Sequence, residues 1–276
     1  MLKKLFKYDF LSMGKILLPM YGAMLIVGVV SAISLRPAFY GISGENIGVF
    51  AMVTLVLYFA LFGAVCIMSI YLSVRRFKNN LLGAEGYLSN VLPVSPGKHI
   101  MSKALSATLW QIITAAATFI SHIIVMLITV TVPDFTGFSE LFGAVAAMLE
   151  RLNSHGADIC AIVSEIAFCA VLGIVILFEL NLMFYAAMTI GHTVNRRKTA
   201  ASFGSFVGLY IISQIVNTFL LKVCNVVVPM FGVKAGPMNI YGFLAVTVPL
   251  LMLTAAYSAV YFFVSRYFLS KKLNLE

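Results

Sequence analysis

The chain has 276 residues, of which 61% are hydrophobic and only 11% charged, with a mean hydropathy of +1.01. Soluble domains carry about 25% charged residues, so the composition excludes an ordinary soluble domain and calls for an integral membrane protein. The net charge of +9 invites a nucleic-acid reading, but the basic residues gather at the ends of apolar runs, where they report membrane topology instead.

A bilayer core of about 30 Å needs about 20 apolar residues per helix. Six runs of that kind are expected to span, at 16–34, 48–74, 104–132, 161–190, 203–228 and 240–264. Barrel strands would be short and alternating, whereas these runs are long and continuous. The expected fold is therefore all-α, a six-helix integral membrane protein forming a single transmembrane domain over 1–276. With a cytoplasmic N terminus, fifteen of the 19 Lys and Arg residues fall on the inner side, and only Arg36, Arg151, Lys222 and Lys234 on the outer. Such a bias argues for both termini inside.

In chain order, residues 1–15 place Leu2, Leu5, Phe6, Phe10 and Met13 on one helical face and Lys3, Lys4 and Lys7 mostly opposite. That pattern describes an amphipathic helix lying in the interface of the bilayer. Asp9 interrupts its apolar face and calls for a basic partner or a hydrated defect; the plainer alternative is a basic helix on anionic lipid that tolerates the acid. The lysines ahead of 16–34 imitate a signal peptide, but the run is long for one and is expected to remain as the first span.

Between the second and third spans lies "RRFKNNLLGAEGYLSNVLPVSPGKHIMSK", residues 75–103. A short helix-compatible piece at 81–92 is interrupted by Gly83 and Gly86 and ended by Pro93 and Pro96. Its apolar side chains, Leu81, Leu82, Tyr87, Leu88, Val91 and Leu92, need cover. Either the piece packs beneath its own bundle or it docks to a cytoplasmic partner.

Polar side chains inside spans are costly and mark interiors or cavities. The third span aligns Gln111, Thr114, Thr118 and His122 in one stripe, and the fifth gathers Gln214, Asn217, Thr218 and Asn225 in a narrow arc. Between the third and fourth spans, the outer loop 133–158 includes the helix-compatible "FSELFGAVAAMLERL". The fourth span holds Glu165 and Glu179, about 40° apart on one face and about 21 Å apart along the axis. Interhelical hydrogen bonding explains the Thr and Asn positions as readily as a translocation path does. Glu179 is harder to dismiss, since a mid-span carboxylate costs about 2.5 kcal/mol or more unless protonated, hydrated or paired; it lines a path, relays protons, or pairs with a neighbour such as His122. Trp110, Tyr87, Tyr210, Tyr257 and Tyr261 read as interface anchors or packing. Cys66, Cys160, Cys169 and Cys224 have no metal-ligand spacing and read as reduced packing residues.

Catalytic signatures are missing: no G-x-x-x-x-G-K-[ST] phosphate loop, no G-x-G-x-x-G, no H-E-x-x-H and no G-x-S-x-G. The chain is read as a non-enzyme with no catalytic, cofactor or metal residues, and uphill transport would draw on a partner protein or an ion gradient.

Taken together, "KYDF" in the N-terminal helix, six spans with both termini inside, the 75–103 segment with its "GAEGYL…LPVS…K" arrangement, and "FYAAMTIGHTVNRRKTAASFGSFVGLYII" after the fourth span resemble the ABC-2-type permeases, the membrane subunits of bacterial ABC exporters. The resemblance covers nearly the whole chain, and the segment arrangement is similar to a Gram-positive subset exporting antimicrobial and toxin peptides, including phenol-soluble modulins. It implies a bacterial plasma-membrane protein whose partners are separate ABC ATPase subunits, which bind ATP and Mg, a second permease copy or paralogue, the lipid bilayer and a peptide substrate, with no nucleic acid. The implied coupling helix maps to about 80–92, so that Leu82, Glu85, Tyr87, Leu88, Val91 and Leu92 would meet the ATPase, with Asp9 of the interface helix nearby. The translocation path would draw on Gln111, Thr118, His122, Glu165, Glu179, Gln214 and Asn217. The brief connection at 230–239 and the long loop 133–158 depart from the family pattern. A reading of a different class is an ion-coupled carrier or channel that uses Glu179, Glu165 and His122 as its relay.

Overall fold

The computed structural model describes residues 2–39, 45–83, 95–130, 143, 146–147, 150, 159–194, 197–230 and 240–271. These residues form six long helices: α1 (Leu2–Phe39), α2 (Glu45–Phe77), α3 (Pro96–Val130), α4 (Ile159–Gly191), α5 (Lys198–Met230) and α6 (Ile240–Lys271). No strand occurs among the described residues, and each helix contains a stretch long and apolar enough to cross a membrane. The chain therefore has the architecture of a multi-pass membrane protein.

The helices overrun the apolar runs at several ends. Charged residues do not stop a helix; they mark where its surroundings change from lipid to water. α2 continues through Arg75 and Arg76 to Phe77 and passes into a π-helical turn, Lys78–Leu82. α3 begins at Pro96, where a missing N–H costs nothing, and Lys98 donates its amide hydrogen to the Ser95 carbonyl at 2.9 Å. Much of 75–103 is thus helix end. Nor does a break separate 1–15 from 16–34, since α1 runs continuously from Leu2 to Phe39. At that junction Gly14 lies under the indole of Trp110, at a spacing that leaves no room for a larger side chain. Gly143, Ala146, Ala147 and Glu150, the described residues of the 133–158 stretch, are helical.

The chain packs as two compact units. The first comprises Met1–Asp9, Leu72–Thr108 and Ala157–Glu276. Here α4 packs on both α5 and α6, and the core gathers Phe77, Leu81, Leu82, Ile100, Ala104, Leu182, Met183, Tyr185, Tyr261 and Leu269. Phe77 stacks on Tyr185 with ring centroids 4.0 Å apart, and Phe184 stacks on Phe206 at 4.5 Å. The second unit comprises Phe10–Tyr71 and Leu109–Gly156, and holds the seam described below.

The connection between α4 and α5 is tight. The amides of His192, Thr193 and Val194 donate to Met188, Ile190 and Gly191 carbonyls, and Arg197 adopts a left-handed φ of 58° just before α5 starts. A Cβ on Gly191 would collide with the backbone of Ser202, so only glycine lets the two helices close on each other here. Gly191→Ala is accordingly expected to lower the thermal unfolding temperature of the purified protein, whereas Gly204→Ala, inside α5 at a site open to a larger side chain, does not lower it. A temperature ramp on both variants in one detergent checks this.

Candidate functional site

Asp9 is the ionic centre of the first unit. Its Oδ1 lies 3.0 Å from Lys103 Nζ and 3.8 Å from Arg76 Nη1, and the same guanidinium also donates to the Asp9 carbonyl oxygen. Ser102 Oγ adds a longer contact to Oδ2 at 3.4 Å. All three charged side chains are substantially covered, Lys103 to 8% exposure, Asp9 to 14% and Arg76 to 21%. The acid that spoils an amphipathic pattern in the sequence has therefore found its basic partners, and they stand at opposite ends of the 75–103 segment. His99, one turn before Lys103, is also buried.

One turn along α2 from Arg76, a polar node ties three helices together. Ser73 Oγ donates to Asn181 Oδ1 at 2.7 Å and meets the Tyr185 hydroxyl at 3.0 Å. Asn181 Nδ2 in turn donates to the Leu177 carbonyl at 2.8 Å and to Thr108 Oγ1 at 3.3 Å. Arg76, Lys103, Ser73, Asn181 and Tyr185 were not singled out from the sequence. For Asn181 a signal existed, an amide two residues from Glu179 inside an apolar run.

Leu82, expected on a partner-facing surface, is buried at 8% exposure in the core with Leu81, Ile100 and Tyr261. The wide π turn carries both leucines inward, so this part of the segment packs beneath its own bundle. Glu85, Tyr87, Leu88, Val91 and Leu92 lie outside the described residues.

Glu179 is half-buried on α4, within electrostatic reach of the Tyr257 and Tyr261 phenols of α6. Glu165 is half-buried three to four turns earlier. On α5, Gln214 is exposed and shares a shallow groove along that helix with Tyr210, Thr218 and Lys222, while Asn217 is half-buried. At the end of α4, His192 is buried and its Nδ1 donates to the Met188 carbonyl at 2.8 Å. Burial pulls its pKa below the ordinary 6.5, and the neighbouring charges of Lys78 and Lys198 add to the effect.

The polar stripe of α3 lies in the second unit and is a filled seam. Thr114 meets the Tyr21 hydroxyl at 2.7 Å, Thr118 donates to the Thr114 carbonyl at 2.9 Å, and Gln111 is buried. His122 Nδ1 lies 3.0 Å from the Thr118 carbonyl and 3.1 Å from the Tyr58 hydroxyl, with the rings of Tyr58, Phe59 and Phe62 around it. Trp110 stacks on Phe10 at 4.7 Å and donates its indole N–H to the Phe10 carbonyl at 2.9 Å, which makes it a packing residue. Arg36 closes the seam by donating from Nε to the Ile128 carbonyl at 2.7 Å. Among the described residues no cluster of His, Cys, Asp and Glu is arranged to hold a metal, and Cys66, Cys169 and Cys224 are free thiols.

Compared with protein-family models, curated proteins and solved structures, the chain matches none of them. The geometry above therefore carries the functional argument together with the resemblance read from the sequence.

Two outcomes follow from these electrostatics. Removing one partner from a covered ion pair leaves the other charge stranded, so Asp9→Asn is expected to cost about 2 kcal/mol of stability. Adding Lys103→Met to that variant should recover part of the loss, and denaturant titration of both variants reads the difference. For His192 the neutral form is favoured in the folded protein, so its contribution is intact above 6.5 and falls away as pH drops below that value, where the unfolded chain takes up the proton first. Melting temperatures between pH 7.5 and 5 should decline less steeply for His192→Gln than for the wild type.

Proposed function

We propose that the chain is the permease subunit of an ATP-driven exporter of the ABC-2 type, working with separate ATPase subunits and a second permease copy or paralogue. Its cargo is an amphipathic or hydrophobic peptide of the toxin or antimicrobial class, moved outward across a bacterial plasma membrane with both termini of the permease in the cytoplasm. The distribution of Lys and Arg supports that orientation, and the missing phosphate loop assigns nucleotide chemistry to a partner.

The observation that carries the reading is the position of the Asp9 ion pairs. Lys103 and Arg76 stand at the two ends of the segment expected to meet the ATPase, and both are held by one carboxylate of the N-terminal helix. Displacement of that segment would be passed on from Arg76 along α2 to Ser73 and Phe77, which bond and stack onto Asn181 and Tyr185 of α4. A permease needs such a load path, because closure of the ATPase subunits can switch access only by moving packed elements between two arrangements.

The test is ATP hydrolysis by a candidate ATPase subunit, alone and co-purified with this chain, with peptide titrated in. Co-purification and peptide-responsive hydrolysis are expected for the wild type, and loss of co-purification for the double variant Glu85→Ala with Tyr87→Ala. Stable association that ignores both substitutions would remove the coupling assignment, and transport that follows a proton gradient without any ATPase would replace the exporter by an ion-coupled carrier.

A further inference from the structure

Glu179 sits near the middle of the apolar stretch Val163–Gly191, where an ionisable group is retained at a cost. Both ion pairs described for the chain fall on Asp9, and no basic side chain among the described residues pairs with Glu179. Its chain neighbours Phe178 and Leu180 pack against the core of the first unit, so the carboxyl emerges from an apolar wall. What faces it comes from α6. The rings of Tyr257 and Tyr261 lie nearly parallel, 14° apart in plane with centroids 6.1 Å apart. Leu182 and Met183, the next turn of α4, share the core cluster with Tyr261, which sets the two helices in contact at this level. Both phenols lie within electrostatic reach of Glu179. The Tyr257 hydroxyl is buried and has no hydrogen-bond partner among the described residues.

A carboxylate, an unsatisfied phenol oxygen and two aromatic faces share one preference. The carboxylate supplies charge, the phenol oxygen accepts a hydrogen bond, and ring faces attract cations. An anion is repelled by such a set, and an uncharged apolar group draws only on the ring faces. We infer that Glu179 and Tyr257, backed by the buried ring of Tyr261, form a cation-recognising site that holds an ammonium group of the exported molecule, either a lysine side chain or a peptide amino terminus. The inference rests on the exporter reading for the identity of the cargo and sharpens it: the peptide is selected for a positive group as well as for its apolar face.

The experiment uses the full chain in phosphatidylcholine nanodiscs, with no ATPase and no nucleotide. Three fluorescent amphipathic helical peptides of otherwise identical sequence serve as probes: one with a lysine and an acetylated amino terminus, one with glutamine in its place and the same acetyl cap, and one with glutamine and a free amino terminus. Wild type is expected to bind at least one of the two cationic peptides about tenfold more tightly than the neutral one, a difference equivalent to about 1.4 kcal/mol. Whichever peptide is preferred identifies the source of the ammonium. Glu179→Gln should erase the preference while binding the neutral peptide as wild type does, which also reports that the variant is folded. Tyr257→Phe, which keeps the ring and its packing, should reduce the preference about threefold. Equal affinity for all three peptides in the wild type, or a preference that survives Glu179→Gln and Tyr257→Phe, overturns the site. Neither result depends on ATPase association, so failure of the exporter reading and failure of this site are read separately.

Discussion

A polar group in hydrocarbon has no water to turn to, and each one that finds no partner within the protein is a standing cost. Most of what distinguishes this chain from a set of apolar helices follows from how that constraint is met. In the first unit it is met by charge and by amides: Asp9 between Lys103 and Arg76, Asn181 between Ser73 and Thr108. In the second it is met by hydroxyls and a ring nitrogen, with Tyr21 on Thr114 and Tyr58 on Ser121 and His122. Without water in competition, each such bond fixes the register of two helices that apolar packing alone would leave free to slide.

The same constraint explains which parts of the molecule were legible in the sequence. Spans were legible because hydrocarbon demands long apolar runs, and all six are present. Helix ends were not, because Arg75, Arg76 and Lys98 lie on continuing helix and hydropathy records the surroundings instead of the backbone. Asp9 was legible as a residue in want of a cation, but not which cation, since the pairing joins positions 94 residues apart. The stripe on α3 was visible as a stripe, yet periodicity gives a direction and not a partner; Tyr21 and Tyr58 are the groups that meet it. Leu82 is buried beside Leu81 where α2 passes into a π turn, a feature that the residue pattern does not announce.

Glu179 is the point at which constraint and function separate. Ser73, Asn181 and Tyr185 of the first unit are explained by the helices they tie together. The carboxyl of Glu179 ties no two helices by a described bond, and the fold would be easier to build with a leucine there. A residue kept against the interest of the scaffold points to something outside it.

The π turn at Lys78–Leu82 has a consequence for how this protein tolerates change. A turn of that kind accommodates one residue more than an α-helical turn. Loss of a single residue there, Asn79 for instance, would let α2 run on regularly into Leu81 and Leu82, the turn giving up its extra residue while both leucines keep their place in the core. An added residue finds no such slack and would turn the two leucines about 100° away from the core. This end of α2 therefore takes a one-residue gap more readily than a one-residue insertion.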